Sequence, residues 1–345
     1  MHMADALLSP AVGATMWVAS GALLAFSARQ LRERGEDHLV PLMGVLGAFV
    51  FAAQMINFAI PATGSSGHLG GGLLLAILLG PHAAFIVIAS VLSVQALFFA
   101  DGGLLALGAN IFNLGVFPCF IAYPLVYRLV AGAAGSPGRI VAGSVAAAVV
   151  GLQLGSLAVV CQTVASGISS LPFGSFLLLM QPIHLAIGVV EGLATAAVVL
   201  FVRRARPDLL APPPVPAAAA APEPGMLRPL VAGLAVAAVA TGGVLSWFAS
   251  SQPDGLEWSI ERVAGEEGLP EAGTGVHGAL AALQDRLSFL PDYGLPADAQ
   301  PEVPEAAADA AWPVVDPGTS LAGVVGGAIT LCMVWLVTLL MRRRR

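Results

Sequence analysis

Charged residues are scarce in this sequence. They make up 10% of its 345 residues, while hydrophobic residues make up 57%. Soluble globular domains usually carry about 25% charged residues, so this composition excludes a soluble globule. The mean hydropathy of +0.85 and the long apolar runs predict an all-α polytopic membrane protein.

Cysteine is rare as well. Cys119, Cys161 and Cys332 all lie in apolar stretches, which favours packing roles and argues against disulfides or a thiolate metal cluster.

Two catalytic motifs are missing. There is no GxxxxGK[ST] phosphate loop, so the energy for any ATP-driven process must come from partner subunits. There is no HExxH cluster either, which argues against a membrane metalloenzyme built on His184 and Glu191, the alternative from a different functional class. Glu191 is also the only acid well inside an apolar run, which argues against a passive metal channel lined by carboxylate rings.

Basic residues are absent from the first 28 positions. A cleavable secretory signal begins with a basic region, so we expect the N-terminus to be retained. We expect Met1 to be retained too, because the residue after it, His2, is bulky.

Apolar runs predict the membrane spans. A spanning helix needs about 20 apolar residues, and the third run is too short to cross unless it is tilted or broken. Seven runs form a body and two more form a tail. The predicted spans lie near Pro10–Ala28, Leu39–Ile60, Leu69–Gly80, Ala83–Ala100, Leu107–Val130, Ile140–Ala165, Met180–Val202, Pro229–Ala249 and Leu321–Met341.

Arginines cluster in alternate connections between these spans. Because basic residues stay on the cytoplasmic side, the pattern predicts an outer N-terminus and a cytoplasmic C-terminus in a bacterial plasma membrane. The clusters are Arg29, Arg32 and Arg34; Arg128 and Arg139; Arg203, Arg204 and Arg206; and Arg342 to Arg345.

A Pro/Ala-rich stretch divides the chain. We predict a seven-helix body at 1–206, a cytoplasmic linker at 207–228, and a two-helix auxiliary module at 229–345. The module contains an outer loop at 250–320, and 13 of the 21 acidic residues fall between positions 250 and 317. Such a loop either aids solubility or attracts divalent cations through its field. The acids considered for this role are Asp254, Glu257, Glu266 and Glu267.

The first two residues form most of a metal site. Met1 offers a terminal amine, and His2 adds its own amide nitrogen and its ring Nδ1. A cation able to deprotonate the amide would sit in two fused chelate rings with three nitrogens in one plane. Square-planar nitrogen geometry favours Ni²⁺ or Cu²⁺ over Zn²⁺, Ca²⁺ or Mg²⁺. An arbitrary second residue would instead lie in a frayed terminus.

His68 is the best candidate for the fourth ligand. It lies in TGSSGHLGGG, where glycines permit close approach of the backbone. The predicted topology puts it on the same outer side as Met1. Taken alone, His68 would be interpreted as a solvated loop residue.

Other polar residues are candidates for orienting the ligands, because a ligating histidine normally donates its second nitrogen to a polar partner. For the asparagines, interhelical hydrogen bonding is the competing interpretation; for Asp101 it is a turn role. Glu191 is expected to pair with another helix, and His184 to orient a ligand or pack. The candidates are Asn57, Ser66, Asp101, Asn110, Asn113 and His184.

Four blocks of sequence carry a family resemblance. MHMADALLSP, AQMINFAIPATGSSGHLGG, FFADGGLLALGANIFNLG and IHLAIGVVEG occur in this order. Together they resemble the substrate-capturing S component of energy-coupling-factor (ECF) transporters for nickel and cobalt, the NikM/CbiM family. The segment PDGLEW at Pro253–Trp258 and the two-helix tail resemble the small auxiliary N component, fused in the same chain.

The resemblance implies a transport role. It implies that Ni²⁺ or Co²⁺ is bound as transported substrate by the Met1 amine, the His2 amide and ring, and the His68 ring. It also implies a transmembrane T component and cytoplasmic ATPase subunits as partners, with no nucleic acid and no redox cofactor. The S component would capture the ion outside and tilt in the bilayer to release it. The PDGLEW tail looks more like the nickel branch; cobalt import for cobalamin synthesis is the alternative.

Overall fold

The computed structural model describes residues 2–34, 39–132, 135–207, 228–265, 273–295 and 312–342. These residues are almost entirely helical, which confirms the prediction of an all-α polytopic membrane protein. The helices are α1 (Pro10–Arg34), α2 (Val40–Gln54), α3 (Gly72–Leu79), α4 (Pro81–Phe98), α5 (Leu107–Ala131), α6 (Pro137–Ser166), α7 (Phe173–Ala205), α8 (Arg228–Gly243), α9 (Gly255–Ala264), α10 (Gly275–Leu287) and α11 (Pro317–Arg342).

Six of the described helices are long and apolar enough to cross a membrane, namely α1, α4, α5, α6, α7 and α11. Helices α2 and α8 are apolar but shorter. The third predicted run becomes α3, whose residues are all buried. It lies between Gly71 and Gly80, which have φ angles of 75° and 81°. These left-handed conformations favour glycine and hold α3 to two turns.

The second predicted span is wrong beyond its middle. Helix α2 ends at Gln54, and residues expected to continue it form strand β1 (Phe58–Ile60), which pairs antiparallel with β2 (Ser65–Gly67). Pro61 follows β1 directly; it biases the preceding residue toward extended geometry and cannot continue a helix. Asn57 therefore lies in a connection, not inside a membrane helix.

Helices α6 and α7 pack through glycines. A Cβ atom at Gly188 would lie 2.8 Å from the Cα of Val149, and one at Gly192 would lie 2.3 Å from the Cα of Val145. Only glycine fits at these contacts, so the two backbones approach closely, as is common where small residues line membrane helix contacts.

The C-terminal helices pack against the body. Helices α8 and α11 both contact α2, and α11 also contacts α4. A Cβ atom at Gly326 of α11 would lie 2.1 Å from the ring of Phe51 in α2. The two predicted modules thus share an apolar interface. Most of the predicted linker, residues 208–227, lies outside the described residues.

Basic residues of the body gather at one end of the bundle. Arg139, at the start of α6, donates from Nε to the carbonyl of Val130 at 2.8 Å, and Arg203 near the end of α7 donates to the carbonyl of Gly135. Helix α1 runs from the N-terminal residues to this end. Residues 2–9, the β-hairpin and the loop after α4 lie at the opposite end, where the candidate site is.

Candidate metal site

The N-terminal segment is buried in the bundle. Met3 is 0% exposed, and Asn110 bonds both of its backbone groups: Met3 N donates to Oδ1 at 2.8 Å, and Nδ2 donates to Met3 O at 3.2 Å. The carboxylate of Asp5 accepts from the backbone N of Ala106 at 2.9 Å. Residue 2 therefore belongs to a fixed segment and not to a frayed end.

His2 and His68 come together in space. Their rings are stacked, with centroids 4.9 Å apart and planes 25° apart. His2 Nδ1 lies 2.7 Å from Asp101 Oδ1, and His68 Nδ1 lies 3.1 Å from the carbonyl of Leu69. Nε2 of His2 is buried and has no hydrogen-bond partner among the described residues. Met1 lies outside the described residues, so the amine ligand stays a prediction.

The protonation of the site suits a cation. Burial lowers the pKa of His68 to about 3, and the neighbouring His2 lowers it further. Burial by itself would raise the pKa of Asp101, but its proximity to His2 and its hydrogen bonds to His2 and Tyr293 hold it at about 2. At neutral pH the site therefore presents a neutral imidazole at His68 beside an ionised carboxylate. In the described part of the chain, no three or more His, Cys, Asp or Glu side chains form a metal-holding group.

A glycine turn positions His68. The backbone N atoms of Gly70 and Gly71 donate to the carboxylate of Glu191 at 2.9 and 3.0 Å. The sequence analysis expected Glu191 to pair with another helix; it bonds the backbone at the start of α3. On the other side of His68, a Cβ atom at Gly67 would lie 2.5 Å from the side chain of Ile187. Both contacts fix His68 against α7.

Asn57 and Ser66 contact the C-terminal module and not a histidine. Ser66 N donates to the carbonyl of Pro253 at 2.8 Å, and its Oγ donates to the carbonyl of Gln252 at 2.7 Å. The backbone N of Ser250 donates to the carbonyl of Asn57 at 2.7 Å.

The two asparagines of α5 both reach Met3. Asn113 Nδ2 lies 3.7 Å from the Met3 sulfur and 2.8 Å from Gln162 Oε1 of α6. Together with the Asn110 bonds, this contact gives the pair one shared task, which is to hold the residue after His2.

His184 lies beneath the site and is 1% exposed. Its Nδ1 lies 2.7 Å from the carbonyl of Met180, and its Nε2 has no partner among the described residues. A small cavity beside it is also lined by His68 and Asp254.

A cavity of about 360 Å³ opens above the two histidines. Part of its wall comes from the C-terminal module; we call residues 250–265 and 273–295 the cover. Of the acids predicted to attract cations, Asp254 and Glu257 line this cavity, while Glu266 and Glu267 lie outside the described residues. The carboxylates on its wall are Asp5, Asp101, Asp254, Glu257 and Asp292.

Two residues of the cover were missed by the sequence analysis. Tyr293 donates from its hydroxyl to Asp101, and His277 Nε2 lies 2.8 Å from the carbonyl of Leu8. No local pattern marks either residue. A signal did exist for α9, because Asp254 and Glu257 have capping-box spacing and form that cap in the structure.

The chain is similar to known proteins along nearly its whole length. Residues 2–209 match the family described as the cobalt uptake substrate-specific transmembrane region, CbiM, and residues 228–343 match the PDGLE domain.

Two relatives share both parts. The putative fused nickel transport protein NikMN of Archaeoglobus fulgidus is 32% identical over 347 residues, covering 98% of each chain. The fused nickel transport protein NikMN of Rhodobacter capsulatus is 33% identical over 320 residues, covering 85% of this chain and 88% of its own. A crystal structure of a truncated transition metal transporter is 30% identical, with a TM-score of 0.52, over 59% of this chain and 99% of that one.

Proposed function

Because the chain belongs to the CbiM family of cobalt uptake substrate-specific transmembrane proteins and carries a PDGLE domain, we propose that it captures Ni²⁺ and delivers it inward. The chain is a multi-pass membrane transport subunit and not an enzyme, as the sequence analysis expected. Ni²⁺ or Co²⁺ is its substrate; the preference for Ni²⁺ is our proposal. It is supported by the fused nickel transport proteins that share both parts of the chain.

The observation that carries the proposal is the meeting of His2 with His68. Two imidazoles from distant parts of the sequence stack at 4.9 Å, at the end of the bundle away from the body's arginine clusters. A segment bonded by Asn110 and Asp5 holds the first of them. Such investment in fixing the second residue of a chain is expected if that residue binds the substrate.

We propose four nitrogen ligands. The Met1 amine, the His2 amide and the His2 Nδ1 would form the two fused chelate rings, and the His68 ring would complete the square. Planar nitrogen ligation is the chemical reason for preferring Ni²⁺, while Co²⁺ is the alternative substrate.

The orientation and partners follow from the same argument. If the arginine-rich end is cytoplasmic, the site opens outward and receives the ion from outside a plasma membrane. With no phosphate loop in the sequence, ATP must be hydrolysed by partners. We propose an ECF transmembrane T component and cytoplasmic ATPase subunits.

The experiment is to place one alanine before Met1 and to measure Ni²⁺ and Co²⁺ binding to the full chain by titration calorimetry. The added peptide bond removes the amine and shifts His2 to the third position, so we expect high-affinity binding to disappear. The matched control carries the alanine after Arg345, which adds the same group far from the site and should bind as the native chain does.

The outcomes separate the claims. Unchanged binding after N-terminal extension would refute the amine chelate. Tighter binding of Co²⁺ than of Ni²⁺ by the native chain would leave the chelate standing and reverse the proposed selectivity.

A further inference from the structure

The hydrogen bond between His2 and Asp101 stands in the way of the proposed chelate, and the inference drawn from it rests on the proposed function. A ring nitrogen can close a chelate with its own residue's amide only through Nδ1. That atom lies 2.7 Å from Asp101 Oδ1, while Nε2 has no partner among the described residues. The ion and Asp101 therefore compete for one nitrogen.

Asp101 has a second partner, and it comes from the cover. The hydroxyl of Tyr293 donates to the other carboxylate oxygen of Asp101. Tyr293 is held in place because its ring stacks on Phe99, with centroids 5.1 Å apart and planes 18° apart. The backbone N of Asp292 also donates to the carbonyl of Phe99 at 2.9 Å. If His2 turns away, Asp101 keeps a fixed donor.

We propose that Asp101 is an exchange partner for His2. It holds Nδ1 in the metal-free protein, yields that nitrogen to the ion on loading, and takes it back on release. Tyr293 sets the strength of this hold by sharing the carboxylate. The fused C-terminal module thereby contributes a positioning residue that tunes the metal affinity of the body.

The exchange balances in protons. In the metal-free state the neutral ring carries its proton on Nδ1 and donates it to Asp101. On loading, the Nδ1–H bond breaks and its proton passes to water in the cavity, while the Nδ1 lone pair binds the ion. Nε2 takes up a proton from that water, so the ring stays neutral. Release reverses each step.

The exchange has a purpose in a transporter. A planar chelate that includes an amide nitrogen holds its ion firmly, yet an importer must let the ion go. By bonding the vacated Nδ1, Asp101 stabilises the metal-free state and favours release.

Two substitutions test the proposal because they should act in opposite directions. Asp101→Asn leaves a neutral acceptor, and bonds to a charged acceptor are about twice as strong as neutral ones. The metal-free state then loses stability, so we expect the Kd for Ni²⁺ to fall by about tenfold and release to slow. Tyr293→Phe keeps the stacked ring but frees Asp101 to hold His2 more firmly, so we expect the Kd to rise by about threefold to tenfold and release to quicken.

The double variant supplies a further check. In the Asp101→Asn background, Tyr293→Phe should have little additional effect, since the two residues act through one carboxylate. Asp292→Asn is the matched control: it removes a carboxylate from the same cavity wall without touching His2. The weaker field around the cation should then weaken binding modestly.

The measurements use the full chain in lipid nanodiscs, with titration calorimetry for Kd and stopped-flow transfer of Ni²⁺ to a chelator for release. A weakening of binding by both single variants would overturn the exchange and assign Asp101 to orienting a ligating His2. Should Asp101→Asn not fold, the sign of the Tyr293→Phe effect decides alone. Failure here is distinct from failure of the chelate, which the N-terminal extension tests separately.

Discussion

The candidate site has a floor and a cover that are held with different firmness. We use floor for the side chains of the body that surround the histidine pair: His2, Met3, His68, Asp101 and Asn110. In the floor, Met3 is 0% exposed and Asn110 is 2% exposed. In the cover, helix α10 contains no buried residue.

The attachments of the cover are correspondingly few. The side chain of Gln284 donates to the carbonyls of Ala96 and Gly102 at 2.8 and 2.7 Å, and His277 reaches the carbonyl of Leu8. Regions with few buried contacts open at low free-energy cost. The comparison teaches that the floor is built for affinity and the cover for access and exchange.

The sharpest way to break this comparison is to remove one histidine from each part. His68→Ala deletes a proposed ligand, so we expect the Ni²⁺ affinity to fall by at least about 100-fold, the upper end of the loss typical for residues that only support a ligand. His277→Ala, in the cover, is the matched control and should change the affinity by less than about tenfold, the lower end of that range. Titration calorimetry on both variants gives the ratio. Equal losses would mean that the cover binds the ion as well.

A glycine tests whether the floor must be rigid. A Cβ atom at Gly103 would lie 1.8 Å from Oδ1 of Asp5, so Gly103→Ala should push the N-terminal segment away and weaken binding by about tenfold or more, in line with overpacking costs of about 1–3 kcal/mol. Gly21→Ala is the control, because a Cβ atom there meets nothing within 4 Å. A Gly103→Ala protein that binds Ni²⁺ normally would show that the segment is free to shift.

The smallest effect is expected where the cover meets the hairpin. Ser66→Ala removes the side-chain bond to Gln252 and leaves the backbone bond to Pro253 intact. A net hydrogen bond contributes about 1 kcal/mol, so the exchange rate of Ni²⁺ should rise by about fivefold with little change in Kd. Stopped-flow transfer to a chelator measures it. A large change in Kd would place Ser66 in the floor.

Much of the body could be predicted because its signals are local. Runs of apolar residues predict helices by themselves, since burial of the backbone in lipid requires internal hydrogen bonding. The prediction failed at residues 58–60, where apolar composition is the same but Pro61 and pairing with Ser65–Gly67 select a strand. Hydropathy cannot separate a buried strand from a buried helix in so short a run.

The sequence by itself determined the membrane class, the family and the chemistry of His2, because hydropathy and the covalent order of amine, amide and imidazole do not depend on folding. The tertiary structure alone decided that His68 stacks on His2, that Asp101 occupies Nδ1 and that Tyr293 shares this carboxylate. These contacts join residues that are far apart in the chain. No periodicity encodes them, since they arise only when the packing of α2, α4 and the cover brings the loop ends together.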